Sequence, residues 1–321
     1  MNVLVPVFRS LSPPGRGARL SILMFHRVLA APDPLFPDVP HAARFGEMLR
    51  WVKSWFNVLP LDEAVRHLAS ETLPDRAAAI TFDDGYADNY TIVLPLLREH
   101  GLTATFFIAT GFIDGGRMWN DTIIEAVRGC PRPVLELGAI DMGRHELAEP
   151  RDRMRAIEAL LARTKYLPAS QRAALSERIA AIAGVQPPLN LMLSSHEIRE
   201  LRRAGMQIGA HTISHPILTL LSRDEAWREI EGSKKRLEEL LGSRVSLFAY
   251  PNGRLGDDYR SEHASLVREI GFEAAVATDP GAAGAGADLM QLPRFTPWDR
   301  NRLRFGARLL GNLVRSRRLA A

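Results

Sequence analysis

The stretch Ala77-Ala78-Ala79-Ile80-Thr81-Phe82-Asp83-Asp84-Gly85 is a short apolar run that ends in two carboxylates and a glycine. A run of this length and composition reads as a buried strand. Its end is where parallel α/β folds keep their chemistry, so Asp83 and Asp84 are expected at the carboxyl end of a parallel strand. Working outward, Gly205-Met206-Gln207-Ile208-Gly209-Ala210 reads as a second strand, running into His211-Thr212-Ile213-Ser214-His215. Pro216 disfavours helix through that segment.

Asp84, His211 and His215 together supply one carboxylate and two imidazoles. That donor set suits zinc or a similar borderline divalent ion with coordination positions left open for water and substrate. Asp83 is then an uncoordinated carboxylate beside the metal, which is what a general base acting on an acidified water requires. A reading of Asp83 and Asp84 as solvated turn residues has to explain why two buried-looking strands both end in ligand-type side chains.

These residues resemble the polysaccharide deacetylase family, the carbohydrate esterases related to rhizobial chitooligosaccharide deacetylase. The family's Thr-Phe-Asp-Asp-Gly is present as Thr81 to Gly85, and its His-Ser/Thr-x-x-His as His211 to His215. The resemblance implies Asp83 as base and Asp84, His211 and His215 as ligands of one divalent ion, zinc first, with cobalt or nickel as alternatives. It also implies an α/β fold, a distorted (β/α) barrel, whose substrate is an N-acetylated carbohydrate.

Two family motifs depart from the pattern. Where an arginine normally orients the catalytic aspartate, this chain has Phe248-Ala249-Tyr250-Pro251-Asn252-Gly253, with Ala249 in the arginine's place. The Asn252 backbone N–H is independent of side-chain type and stays a candidate oxyanion donor. Tyr250 is a candidate to line the acetyl pocket. Where the family supplies a C-terminal histidine as general acid, this chain has Gln291-Leu292-Pro293-Arg294-Phe295. Arg294, at an apolar-to-loop transition, is the candidate replacement for the orienting arginine. His26, ending the apolar run Ser21 to Phe25, resembles the first-strand histidine acid of the poly-N-acetylglucosamine deacetylase subgroup, and the acid role is carried to it.

The 321 residues are 46% hydrophobic and 24% charged, the balance of a globular enzyme. Cys130 is the sole cysteine, which excludes an internal disulfide and a cysteine metal cluster. The N-terminus lacks a basic leader and a small-residue cleavage site, so a cytoplasmic location is expected, with peripheral association on the inner face of the membrane. The reason lies at the other end. Residues 300–321 hold seven arginines and no acid, with Leu303, Ala307, Leu310 and Val314 at helical spacing. This basic amphipathic tail suits an anionic lipid surface, or packs as a last barrel helix with its arginines in water. No aromatic platform or reading motif accompanies the arginines, so nucleic acid is not expected as a partner.

Strands are expected at 21–26, 77–83, 103–109, 206–211, 245–250 and 273–277, and helices around 42–54, 61–70, 222–241 and 257–270. The chain reads as a single catalytic domain over 1–321. The interval between the two metal motifs exceeds one strand-helix step, which places a mainly helical insertion at about 115–197. Trp119 and Trp298 are candidate sugar-stacking aromatics. The expected reaction is metal-dependent removal of N-acetyl groups from a polysaccharide or lipid-linked glycan, releasing acetate. Removal of a formyl group from a lipid-linked aminosugar and non-catalytic glycan binding are the alternatives, the second prompted by Ala249 and the missing C-terminal histidine.

Overall fold

The apolar runs form the strands of one parallel sheet in the computed structural model, which describes residues 4–297 and 299–315. Strands β1 (Ser21–Phe25), β2 (Asn57–Val58), β3 (Ala77–Phe82) and β4 (Thr105–Ile108) precede a two-stranded hairpin, β5 (Val134–Glu136) and β6 (Arg144–Glu146). Strands β7 (Gln207–Ala210), β8 (Leu247–Ala249) and β9 (Ala274–Val276) follow. All six expected strands are present, within two residues of the expected bounds.

The sheet runs β1-β3-β4-β7-β8-β9, and every pairing in it is parallel. Asn57 and Val58 of β2 pair with the first residues of β3, whereas β4 pairs with Thr81 and Phe82 at its end. The segment Leu292–Phe295 then joins the two edges: Leu292 bridges Val276 and Phe295 bridges Leu23. The result is a distorted (β/α) barrel with strand ends gathered on one rim.

Helices α1 (Leu4–Leu11), α2 (Ala42–Trp55), α3 (Leu61–Ala69) and α4 (Leu94–His100) pack around the first half. Helices α5 (Trp119–Gly129), α6 (Pro150–Thr164), α7 (Ala169–Ala183) and α8 (Ser195–Arg203) fall between β4 and β7, which are neighbours in the sheet. Helices α9 (Arg223–Leu241), α10 (Ser261–Glu269) and α11 (Arg302–Val314) complete the chain. Side chains at Ser222 and Ser194 cap α9 and α8, each reciprocated by a glutamate three residues on. Gly101 takes the left-handed conformation at the end of α4, with φ 61°.

Burial follows from alternation. Buried residues pack on both faces of the sheet, with Phe25, Ile80, Phe82 and Phe106 in the larger cluster, shared with the surrounding helices, and Ile22, Ala79 and Phe107 in a smaller one. A separate apolar cluster, including Ile123, Val127, Ile157, Leu160 and Ile179, holds α5, α6 and α7 together. These helices therefore carry a core of their own beside the barrel.

Candidate active site

Residues from five strand ends meet at the rim. Asp83 and Asp84 leave β3, and Gly85 turns the chain with φ 87°, its missing Cβ sparing a contact of 3.1 Å with Ile108. Asp84 Oδ1 lies 3.5 Å from His211 Nε2 and 3.4 Å from His215 Nε2. One ligand-type atom from each of the three falls within 4.8 Å of the others. His211 Nδ1 donates to the Ala249 carbonyl at 2.8 Å, which fixes the ring and turns Nε2 toward Asp84. Asp84 Oδ1 is buried and makes no hydrogen bond. A buried carboxylate oxygen without a donor, faced by two imidazole nitrogens, fits a divalent cation and little else.

The loop that carries His211 and His215 is tied from behind by Glu229 of α9. Its Oε2 accepts from the backbone N–H of Ile213 and Ser214 at 2.9 and 2.8 Å, and its Oε1 accepts from Ser214 Oγ at 2.7 Å. Asp84, Thr212 and His215 all hold positive φ, at 75°, 65° and 53°. Each such residue costs about 1–3 kcal/mol, so the loop geometry is imposed by its surroundings, Glu229 among them.

Asp83 is gripped by Arg294. Nη1 donates to Asp83 Oδ1 at 2.7 Å and Nη2 to Oδ2 at 2.6 Å, a bidentate pair with both side chains buried. The guanidinium is itself fixed by the Ala277 carbonyl, which accepts from Nε at 2.8 Å, and by Thr81 Oγ1 at 3.2 Å from Nη1. Burial pushes the Asp83 carboxyl up, but Arg294, with His211 and His26, more than offsets it and holds the group below its ordinary range. Burial lowers His215 to about 4, so this imidazole is neutral at neutral pH.

His26 stands on the exposed side of the cavity, and its carbonyl accepts from Asn89 Nδ2 at 3.0 Å. Neither ring nitrogen has a hydrogen-bond partner among the described residues. The neighbouring Arg27 is anchored on Asp88 at 2.8 Å and lies 4.6 Å over the Tyr86 ring. Tyr86 donates through its hydroxyl to Asp121 of α5 at 3.1 Å. The cavity they enclose measures about 580 Å³ and is lined by His26, Asp84, Tyr86, Asp121 and Arg128 among others.

Tyr250 corrects one expectation. Its side chain is fully buried on the outer face of the sheet, stacked on Tyr259 with centroids 3.9 Å apart, and its hydroxyl donates to the Met290 carbonyl at 2.9 Å. Strand alternation explains this: Leu247 and Ala249 join the smaller core cluster, so Phe248 and Tyr250 face the other way, toward the helices. Asn252 takes φ 58° at the end of β8, and its N–H has no acceptor among the described residues. Trp119 lies under Arg172 rather than in the main cavity, and Trp298 is outside the described residues.

Sequence reasoning passed over Asp121, Asp88, Asn89 and Glu229. The last carries a visible signal. Glu229 borders the buried stripe Ala226, Ile230, Ser233 and Leu237 of α9, where an acid on the apolar flank asks for a partner.

Asp121 yields a pH prediction. Burial raises its carboxyl to about 7. The unfolded chain ionises this group near pH 4, so the native state is unaffected below pH 4, loses stability as pH rises from 4 to 7, and is fully penalised above 7. The ceiling is of order 4 kcal/mol. Asp121→Asn is expected to stabilise the protein more at pH 8 than at pH 5, read by urea unfolding at both. An equal effect at the two pH values removes this account.

Comparison with known proteins places the geometry in a group. The sequence profile of the family described as Polysaccharide deacetylase matches residues 70–275. YxkH of Bacillus subtilis, a protein named for the same family, is 22% identical over 86% of this chain and 71% of its own length. Among solved structures, the Streptococcus pyogenes deacetylase PplD in complex with acetate superposes with a TM-score of 0.61 at 19% identity. It covers 93% of this chain and 99% of that one. IcaB from Ammonifex degensii gives 0.60 at 18% identity, covering 92% and 97%.

Proposed function

Because the chain belongs to the polysaccharide deacetylase family, we propose that it is a metal-dependent hydrolase that removes N-acetyl groups from an amino-sugar glycan and releases acetate. The observation that carries the metal dependence is the buried, partnerless Asp84 Oδ1 facing His211 and His215. Asp84, His211 and His215 hold the ion, with zinc the best match to a donor set of two imidazoles and one carboxylate. When bound, such an ion polarises the amide carbonyl and makes water more acidic.

The remaining steps belong to the chain's own groups. Asp83, kept ionised and aimed by Arg294, takes the proton of the attacking water. The free Asn252 N–H donates to the oxygen on which charge develops. His26, whose ring has no competing partner, gives a proton to the departing amine. The wall formed by α5, with Asp121 and Tyr86 joined across it, borders the sugar that carries the acetamide. A binding-only protein has no use for a base clamped bidentately beside a metal site, so the Asp83–Arg294 pair favours catalysis.

Metal content decides the first point. The wild type, reconstituted with zinc or cobalt, is expected to hold one ion per chain, and Asp84→Ala, His211→Ala and His215→Ala to lose it. A folded wild type without an ion overturns the hydrolase reading. Glu229→Ala in the same titration is expected to weaken binding about 10–100-fold, as removal of a group that orients ligands does. Acetate against formate in the supernatant of glycan digests separates deacetylation from deformylation.

For location, the proposed site is the cytoplasm with peripheral attachment to an anionic membrane. Among the described residues no helix is long and apolar enough to cross a bilayer. Helix α11 buries Phe305, Leu309 and Leu313, while Leu303 and Val314 on another face remain 70% and 59% exposed. Arg304 of the same helix is exposed, whereas Arg308 is held inward by the buried Asp299. Each basic side chain near an anionic surface is worth about 1 kcal/mol. Leu303→Glu with Val314→Glu is expected to reduce sedimentation with phosphatidylserine vesicles at low salt without altering the fold. No sedimentation of the wild type rules the attachment out.

A further inference from the structure

A second cavity, of about 170 Å³, lies against the first turn of α5. Trp119 and Thr122 face it from that helix, Arg172 and Ser176 from α7, and Ser214 from the metal loop. The alternate residues of the same turn, Asn120 and Asp121, line the main cavity. One turn of helix thus separates the two.

Arg172 is the feature that needs explaining. Its side chain lies across the Trp119 ring, 5.0 Å from its centroid, and the residue is 4% exposed. A guanidinium has five N–H donors and no acceptor. Arg172 uses one, from Nη1 to the Lys165 carbonyl at 3.2 Å. Nε is buried without any partner, and Nη2 makes no bond among the described residues. No carboxylate there pairs with it either, since Glu177, on the same wall, is taken by Arg117 at 2.6 Å. Burial alone acts on its pKa, lowering it, with no opposing negative charge. The ring contact and the one bond to the Lys165 carbonyl leave Nε and Nη2 unused, and a structural brace with so few contacts does not call for a buried, unpaired cation.

The free donors have a shape. Nε and Nη2 form the side-on edge of the guanidinium, the edge that takes two oxygens of a carboxylate or phosphate at once. We propose that this cavity is an anion subsite that takes one compact oxyanion, a phosphate or a carboxylate, on the Nε/Nη2 edge of Arg172. Its wall includes Ser214, the residue before His215, so on the deacetylase reading the oxyanion belongs to the glycan being processed. A substrate lying across the first turn of α5 presents its acetamide on one side and its charge on the other. The favoured substrates are accordingly glycans bearing a phosphate or a uronic acid next to the acetylated sugar.

The test measures the melting temperature of the full-length, metal-loaded protein against inorganic phosphate and, separately, sodium glucuronate, with sodium chloride holding ionic strength constant. The wild type is expected to show a saturable rise with at least one anion. Phosphate alone identifies a phosphate subsite and glucuronate alone a uronate subsite. Arg172→Met is expected to weaken the apparent affinity at least tenfold, while its metal content stays at the wild-type level. Anion bound at the metal itself is common to both proteins and drops out of the difference. If Arg172→Met does not fold, Ala173→Phe replaces it, since Ala173 is exposed at the cavity wall and phenylalanine there fills the space. No saturable response in the wild type, or an undiminished one in the folded variant, overturns the proposal. A protein that binds phosphate through Arg172 yet releases no acetate would instead fail only the deacetylase reading.

Discussion

Asp83→Asn is expected to lose at least about 100-fold in acetate release while still binding one divalent ion per chain. A positioned general base contributes typically 10²–10⁴-fold, and asparagine keeps the shape and one acceptor oxygen for Arg294 while replacing the basic carboxylate with a neutral amide whose NH2 can only donate. The candidate ligand group is Asp84, His211 and His215 and includes no atom of Asp83, so metal content separates loss of the base from collapse of the site. Turnover equal to wild type in this variant would sink the assignment of the base. The substitution also leaves Arg294 facing a neutral amide, so a fall in stability accompanies it; the kinetics are to be read well below the melting temperature.

Arg294→Met carries the second large effect, and it acts on stability and pH dependence together. Removing one partner of a buried ion pair leaves the other charge uncompensated, at a cost of about 3–5 kcal/mol. Here the abandoned group is Asp83, 2% exposed. Burial is the largest influence on its carboxyl and acts upward, so without the arginine its pKa climbs. The acid limb of the pH profile of kcat/KM is therefore expected to move to higher pH, and activity lost at pH 6 to return in part at pH 8. Pairing Arg294→Met with Asp83→Asn is expected to restore part of the stability, because neither charge is then left alone. Arg294→Lys does not substitute, since a single ammonium lacks the fork that meets both carboxylate oxygens. An unchanged acid limb in Arg294→Met would show that the arginine only braces the barrel.

The candidate ligand cluster was legible in the sequence because its residues are local. Asp83 and Asp84 sit together, His211 and His215 share five residues, and each group ends an apolar run whose length already announces a strand. Arg294 was legible only as a position, since its bidentate contact joins residues 211 apart in the chain. Tyr250 was misread although the means to place it were present: in Leu247-Phe248-Ala249-Tyr250 the side chains alternate, and a tyrosine two after a phenylalanine shares its outward face. Asp121 had no local signal. An acid in the first turn of a helix is ordinary, and only tertiary packing against Tyr86 makes it unusual. Asp88 belongs to the same class, since its partner Arg27 lies 61 residues away in the chain.

The closing segment Leu292–Phe295 bears on the order in which the protein comes into being. Synthesis runs from the amino end, so Asp84, His211 and His215 have all left the ribosome while Arg294 is still unmade. Until residues 292–295 arrive, β1 and β9 lack the segment that links them, and Asp83 lacks the guanidinium that grips both its oxygens. The residues that could hold an ion are thus complete well before the residue that aims Asp83, and the same few residues that seal the barrel bring that arginine to the carboxylate.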